Sequence, residues 1–309
     1  MSDDAVPDVG QDAELASVFE QHRRHLRAIA YQVLGSLAEA DDAVQETWVR
    51  FAAAGTEGVE NVSGWLTTIV TRVCLNVLRA RAARPEQAAG VHVPDPIAVH
   101  ADGAASDPEQ EALLAESVGL ALMVVLETLT PAERLAFVLH DVFAVPFSVI
   151  GQLAGRSELA ARQLASRARR QVREAGPSAP DVSLPQQRAI VDAFFTAARD
   201  GDFDRLMELL DPDVVIRADG GAGRPGASVL MRGAGQIARA TIATASPLAD
   251  FTPVLVNGVA GMLITVRGRP VSLIAITVTG SRITAMDGIT DVDRLARLGL
   301  ASLGPGSRD

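Results

Sequence analysis

The sequence predicts a multidomain chain, all-α through about residue 175 and α+β from about residue 186. Two observations carry this. Apolar residues recur at helical spacing through Glu14–Gly35, Leu37–Ala54, Gly64–Arg84 and most of Glu109–Glu174. Beyond Gln186 a helix pair broken near Gly201 gives way to short β-branched runs with Gly-containing connections. That order of elements reads as an α+β domain with a strongly bent antiparallel sheet.

In Glu14–Gly35 a stripe of Leu15, Val18, Phe19, Leu26, Ile29, Val33 and Leu34 faces a core, and Gly35 ends the helix. In Leu37–Ala54, Ala40, Val44, Trp48 and Phe51 oppose Asp41, Asp42, Glu46 and Arg50. A Gly-containing loop, Ala53–Ser63, leads to a third helix with an apolar face of Leu66, Val70, Val73 and Val77. Its opposite face carries Thr68, Arg72, Asn76 and Arg79. Asn and Arg hydrogen-bond base edges and phosphates, although a solvated face has the same composition. Pro85–Pro108 reads as a linker. Thr130-Pro131-Ala132-Glu133 is a helix start, with a capping Thr, Pro at the first position and Glu closing the box.

Val145–Ala154, the turn Gly155-Arg156 and the helix Ser157–Glu174 form a helix-turn-helix pattern. In the second helix Arg162, Ser166, Arg169 and Arg173 fall on one side, opposite Ala161, Leu164, Ala165, Ala168 and Val172. Gln163 lies off this polar face. The strand runs expected further on are Asp213–Ala218, Val229–Arg232, Thr252–Val256, Gly261–Val266, Val271–Val278 and Arg282–Met286.

The charge balance opposes this pattern. Net charge is −10 over 309 residues. Phosphate affinity is largely electrostatic, and beyond about 8–10 Å an acidic chain gains nothing from it. Either the Arg face is not for DNA, or another molecule delivers the chain to DNA. One cysteine, Cys74, excludes an internal disulfide and a cysteine metal cluster. Met1–Gln21 is acidic and polar, unlike a signal peptide, and no apolar run reaches the roughly 18 residues of a membrane span. A cytoplasmic protein without membrane association is expected.

Ala40–Phe51, Gly64–Arg81 and Leu126–Arg173 resemble, in order, regions 2 and 4 of the bacterial extracytoplasmic-function sigma factors. The last third resembles the SnoaL-like branch of the cone-shaped NTF2-like fold, a combination found in a SigJ-type subgroup. The resemblance implies an acidic N-terminus (1–13), region 2 (14–86), a linker (87–108), region 4 (109–175), a Pro-rich linker (176–185), a SnoaL-like domain (186–302) and a tail (303–309). It implies core RNA polymerase as partner, through the β′ clamp helices and the β flap, with Asp41, Asp42, Gln45, Glu46 and Trp48 on the clamp-docking surface. It also implies promoter DNA as partner. Arg72, Asn76 and Arg79 would face the −10 element, and Ala53–Ser63 would hold a flipped base. Arg162, Gln163, Ser166, Arg167, Arg169, Arg170 and Arg173 would meet the −35 duplex. A polymerase-delivered subunit resolves the charge conflict.

In that subgroup a linker motif and two C-terminal motifs are associated with packing the last domain against the linker and region 2. The matching positions here are Pro94, Asp95 and Pro96; Asp219, Gly220 and Gly221; and Asp293 and Leu295. Linker and tail both depart from the subgroup wording, as Val91-His92-Val93-Pro94-Asp95-Pro96 and Asp291-Val292-Asp293-Arg294-Leu295.

SnoaL-like domains include cyclases, but from Gln186 onward this chain has no His, Cys, Tyr, Lys or Trp. Only carboxylates such as Asp219, Asp250 or Asp287 remain as bases, and these also cap turns and bind backbone amides. No catalytic residue, metal or cofactor is therefore expected. An apolar concavity that takes a small ligand stays open, as does a ligand-responsive DNA-binding regulator as the alternative function.

Overall fold

The computed structural model describes residues 9–56, 58–83, 91–101, 118–175, 181–221 and 227–303. Two compact units divide the chain. The first comprises Met1–Ala83 and Leu129–Gln171, the second Arg84–Thr128 and Val172–Asp309.

The first unit begins with α1 (Val9–Leu34), α2 (Leu37–Ala54) and α3 (Val62–Ala82). Helix α1 thus starts inside the acidic N-terminus expected over 1–13, whose first eight residues lie outside the described ones. Gly35, at φ +71°, closes α1 by donating to the Tyr31 carbonyl at 2.7 Å. The Ser36 side chain caps α2, and Asn61 accepts from Gly64 N–H at 2.9 Å to cap α3. Phe19, Leu26, Tyr31, Phe51, Leu66 and Val70 fill the core between them. Arg81 locks the end of α3 by donating to the Leu34 carbonyl at 2.9 Å and pairing with Glu39. Cys74 is buried here, and burial pushes its thiol up to about 12, which removes thiolate reactivity.

Helix α4 (Leu120–Leu126) belongs to the second unit. The first resumes with α5 (Pro131–Phe137), a π-type turn over Val138–Val142, α6 (Phe147–Ala154) and α7 (Glu158–Ala175). The predicted capping box forms: Thr130 Oγ1 accepts from Glu133 N–H, and Glu133 accepts from Thr130 N–H at 3.3 Å. Helix α5 lies against α3. At the helix-turn-helix corner Gly155 takes the left-handed conformation at φ +66°, and Ser157 Oγ accepts from Ala160 N–H at 3.2 Å. Gly151 is needed for space, since a Cβ there would meet the Arg156 carbonyl oxygen at 2.9 Å.

The second unit is built on a seven-stranded sheet in the order β1-β4-β5-β6-β7-β2-β3. Its strands are β1 (Ala98–His100), β2 (Leu210–Asp219), β3 (Val229–Arg232), β4 (Ala249–Val256), β5 (Val259–Val266), β6 (Arg269–Thr279) and β7 (Arg282–Ile289). Asn257-Gly258 and Arg267-Gly268, all at positive φ, make the two-residue turns joining β4 to β5 and β5 to β6. On one face α8 (Leu184–Asp200), α9 (Phe203–Leu209) and α10 (Ala234–Thr244) enclose a core that includes Phe194, Phe195, Ile237, Met262, Ile276 and Met286. The other face carries α11 (Val292–Arg297), the turn Leu300–Leu303 and residues from the linker.

Three expectations are corrected here. The sheet is mixed, because β2 runs parallel to β7, a non-local pairing that no turn sequence encodes. The linker 87–108 supplies β1, whose Ala98, Val99 and His100 pair with Val256, Leu255 and Val254. Within Glu109–Thr128, which was assigned to region 4, the described helix is confined to Leu120–Leu126. Its Leu120 and Val124 pack with Val254, Val256 and Leu273 of the sheet. Seven residues are too few for a helix to persist alone, so packing decides both its existence and its allegiance.

Candidate functional site

Two exposed polar faces lie in the first unit. On α3, Arg72, Asn76 and Arg79 are all exposed, while Val70, Val73, Cys74 and Leu78 are buried. On α2, Asp42, Gln45, Glu46 and Val49 are exposed at the spacing of one helical face. Three of the predicted α2 positions also have partners within the unit. Asp41 receives a two-pronged bond from Arg27, at 2.5 and 3.1 Å, and Glu46 pairs with Arg50 at 2.8 Å. Trp48 is half-buried, its ring 5.2 Å from that of Phe19. Val49, which sequence reasoning passed over, is a large apolar side chain in the open.

On α7 the buried residues are Ala161, Leu164, Ala165 and Ala168. At about 100° per residue the direction opposite them runs through Leu159, Gln163, Ser166 and Arg170. All four are exposed. Gln163 therefore sits on the central outward stripe, which corrects the sequence wheel that placed it off the polar face. A face centred on Arg162, Arg169 and Arg173 leaves Gln163 aside, whereas the buried residues point the outward direction through it.

The flanking arginines are held by carboxylates of the same unit. Arg162 pairs with Glu158 at 2.6 Å and lies over the Phe147 ring, which also stacks on His140. Arg167 donates to Glu133 at 2.8 Å, and Arg169 to Asp141 at 2.7 Å. Burial works against ionisation of Glu133, yet hydrogen bonds from Thr130 and Arg167 keep its carboxyl below the ordinary value. Arg167 and Arg169 are both bonded through Nε and are partly exposed, so their remaining N–H groups can meet a phosphate while the carboxylate contact is kept. Arg173 is exposed near the helix end.

The second unit holds the linker by a polar clamp. Arg294 donates to Asp95 at 2.6 Å, to Asp219 at 2.8 Å and to the Val93 carbonyl at 2.5 Å. Asp219 also accepts from Val93 N–H at 3.0 Å and Gly221 N–H at 2.9 Å, and the His92 ring lies 3.3 Å away. Burial opposes ionisation of Asp219. Hydrogen bonds from His92, Val93 and Gly221 and the charge of Arg294 outweigh it and bring the carboxyl from 3.8 to about 2. Both glycines of Asp219-Gly220-Gly221 are required by space. A Cβ on Gly220 would meet Ala227 at 2.5 Å, and one on Gly221 would overlap the Asp291 carboxylate. Pro94 and Pro96 are buried beside Asp95, and Leu295 shares a core with Val93.

A second anchor was not foreseen. The Asn257 side-chain oxygen accepts from Ile97 N–H at 2.9 Å, the Asn257 backbone N–H donates to the Ile97 carbonyl at 2.8 Å, and the side-chain amide nitrogen reaches the Met123 sulfur at 3.7 Å. The sequence marked Asn257-Gly258 only as a turn. In the tail, Asp293 is exposed, and the contacts assigned to it fall to Arg294, with Asp291 capping α11. Asp-x-x-Arg-Leu contains this arrangement, since a capping Asp orients the helix that aims the Arg.

The three carboxylates considered as bases are otherwise placed. Asp219 is in the clamp and Asp250 is exposed. Asp287 is buried and bonded to Arg217 at 3.0 Å; burial raises its carboxyl and Arg217 offsets part of the rise.

Comparisons with known proteins follow the same division. The family profile for Sigma-70 region 2 matches residues 18–84. The chain is similar to the ECF RNA polymerase sigma factor SigJ of Mycobacterium tuberculosis, 40% identical over 223 residues, covering 72% of this chain and 70% of that one. It is also similar to SigG of the same species, 30% identical over 217 residues, covering 63% of this chain and 59% of that one. The crystal structure of M. tuberculosis SigJ superposes with a TM-score of 0.72 at 34% identity, covering 91% of this chain and 98% of that one. That match spans the helical part and the α+β domain together, and the chain belongs to the extracytoplasmic-function RNA polymerase sigma factors.

Proposed function

We propose that this sigma factor docks on core polymerase through the α2 face of Asp42, Gln45 and Glu46, with Asp41 and Trp48 at its margin. Arg72, Asn76 and Arg79 of α3 then engage the −10 element, and the outward face of α7 engages the −35 duplex. The β′ clamp helices and the β flap are the polymerase surfaces, and the cytoplasm is the compartment. An acidic α2 face suits this role, because complementary charge steers association. The α+β domain regulates in cis by holding the linker, so that the reach between the two DNA-reading helices is set by the clamp and not by a free chain.

The observation that carries the reading is the outward face of α7, a Gln/Ser/Arg stripe opposite a small-residue packing face in a helix-turn-helix. Run-off transcription with core polymerase over genomic fragments tests it, comparing the full chain with one ending near Pro185. The full chain is expected to select specific start sites, and the shortened chain a different set or strength. Identical output from the two would remove the regulatory role. Equal, sequence-specific gel shifts with and without core polymerase would favour a free-standing DNA-binding regulator instead.

A further inference from the structure

Leu159 is the anomaly on the outward stripe of α7. It lies in the first turn of the helix, at the centre of the exposed face, and is 66% exposed. One turn on is Gln163, then Ser166 and Arg170, with Arg162 and Arg169 on one flank and Arg167 on the other. Each of those three flanking arginines is oriented by a carboxylate, so the most outward line of the helix starts with an uncovered aliphatic group between fixed guanidinium groups. A partner that covers this side chain removes its apolar surface from water, which favours the complex.

We propose that Leu159 is a specificity-determining residue that packs on the C5-methyl group of a thymine in the −35 duplex. This rests on the assignment of α7 to that duplex. In the major groove only thymine presents a methyl group, and the N-terminal residues of a recognition helix are those that reach base edges. The arginine frame complements phosphates on either side, which selects DNA over an apolar protein surface as occupant. Gln163 is suited to adenine N6 and N7. The two side chains start about 6 Å apart along the helix, so the thymine and the adenine fall within about two base-pair steps of each other.

The test uses holoenzyme assembled from the full chain and core polymerase, on a promoter identified by run-off transcription. Each −35 thymine is replaced singly by deoxyuridine, which removes only the methyl group. With the unaltered chain, one position is expected to lose about three- to tenfold in initiation. Leu159→Ala should lose a similar factor on the thymine template and no longer distinguish thymine from uracil; Leu159→Met should retain the discrimination. The substitution is on an exposed helical position and favours helix, so it leaves folding intact. If no uracil substitution matters while scrambling the −35 element abolishes initiation, the methyl contact is overturned and the −35 assignment stands. If scrambling has no effect, the −35 assignment fails first. Discrimination that persists in Leu159→Ala, or a variant that loses core polymerase binding, also overturns the proposal.

Discussion

Arg294 concentrates the linker contact in one side chain. Its planar fork meets two carboxylates and a carbonyl at once, geometry that a Lys ammonium cannot reproduce. Arg294→Ala would leave Asp95 and Asp219 buried without their shared cation, a change expected to cost about 3 kcal/mol in urea unfolding. Arg294→Lys should fall between that and the parent. Asp219 adds a pH dependence of defined sign. Its folded value of about 2 lies below the unfolded 3.8. The stabilisation, about 2 kcal/mol, is therefore fully present above pH 4 and is lost as pH falls through 2. Urea melts at pH 7, 4 and 3 should show an acid limb that Asp219→Asn flattens.

At the scale of elements, the linker is part of a domain. Strand β1 extends the edge of the sheet at β4, and α4 covers the same face further along. Asn257 ties the two together at the tip of the β4–β5 hairpin. Asn257→Ala leaves the Ile97 N–H without its acceptor, which costs about 1–3 kcal/mol locally. Hydrogen exchange at 97–100 should accelerate by roughly tenfold or more while the exchange of β6 and β7 stays unchanged. In a promoter-spacing series of the holoenzyme, the same variant should tolerate a wider range of −10 to −35 separations. An unchanged optimum with accelerated exchange would separate the clamp from promoter geometry.

For the whole molecule, net charge of −10 and an arginine-framed α7 coexist because the acidic groups lie elsewhere or are internally paired. Binding of the free chain to duplex should be weak and steeply salt-dependent. If Arg173 meets a phosphate as proposed, Arg173→Ala should reduce the salt slope of holoenzyme–promoter binding by about one, whereas Leu159→Ala should leave the slope unchanged. Arg169→Ala should weaken −35-dependent promoters and leave core polymerase binding intact. Filter binding at a series of salt concentrations, with and without core polymerase, measures all three. No helix among the described residues is long and apolar enough to cross a membrane.

Local chemistry made much of this legible in advance. Caps at Thr130 and Ser157, the Gly155 turn, the small-residue face of α7 and the exposed α3 arginines follow from propensity and 3.6-residue periodicity, which act over a few neighbours. The Asp219-Gly220-Gly221 motif marked the clamp through resemblance. Its geometry was not readable, because it joins Val93, Asp95, Asp219 and Arg294 across about 200 positions of chain. The same holds for the parallel β2–β7 pairing, for β1 and for the allegiance of α4, each stabilised by partners remote in sequence. Sequence by itself determined the caps and the apolar faces of α2, α3, α5, α6 and α7. Only tertiary structure decided what each face meets: it made the linker a strand, turned Leu159 and Gln163 outward, and assigned the arginines around them to carboxylates. Burial direction and ion pairing belong to the packed chain, and no local pattern contains them.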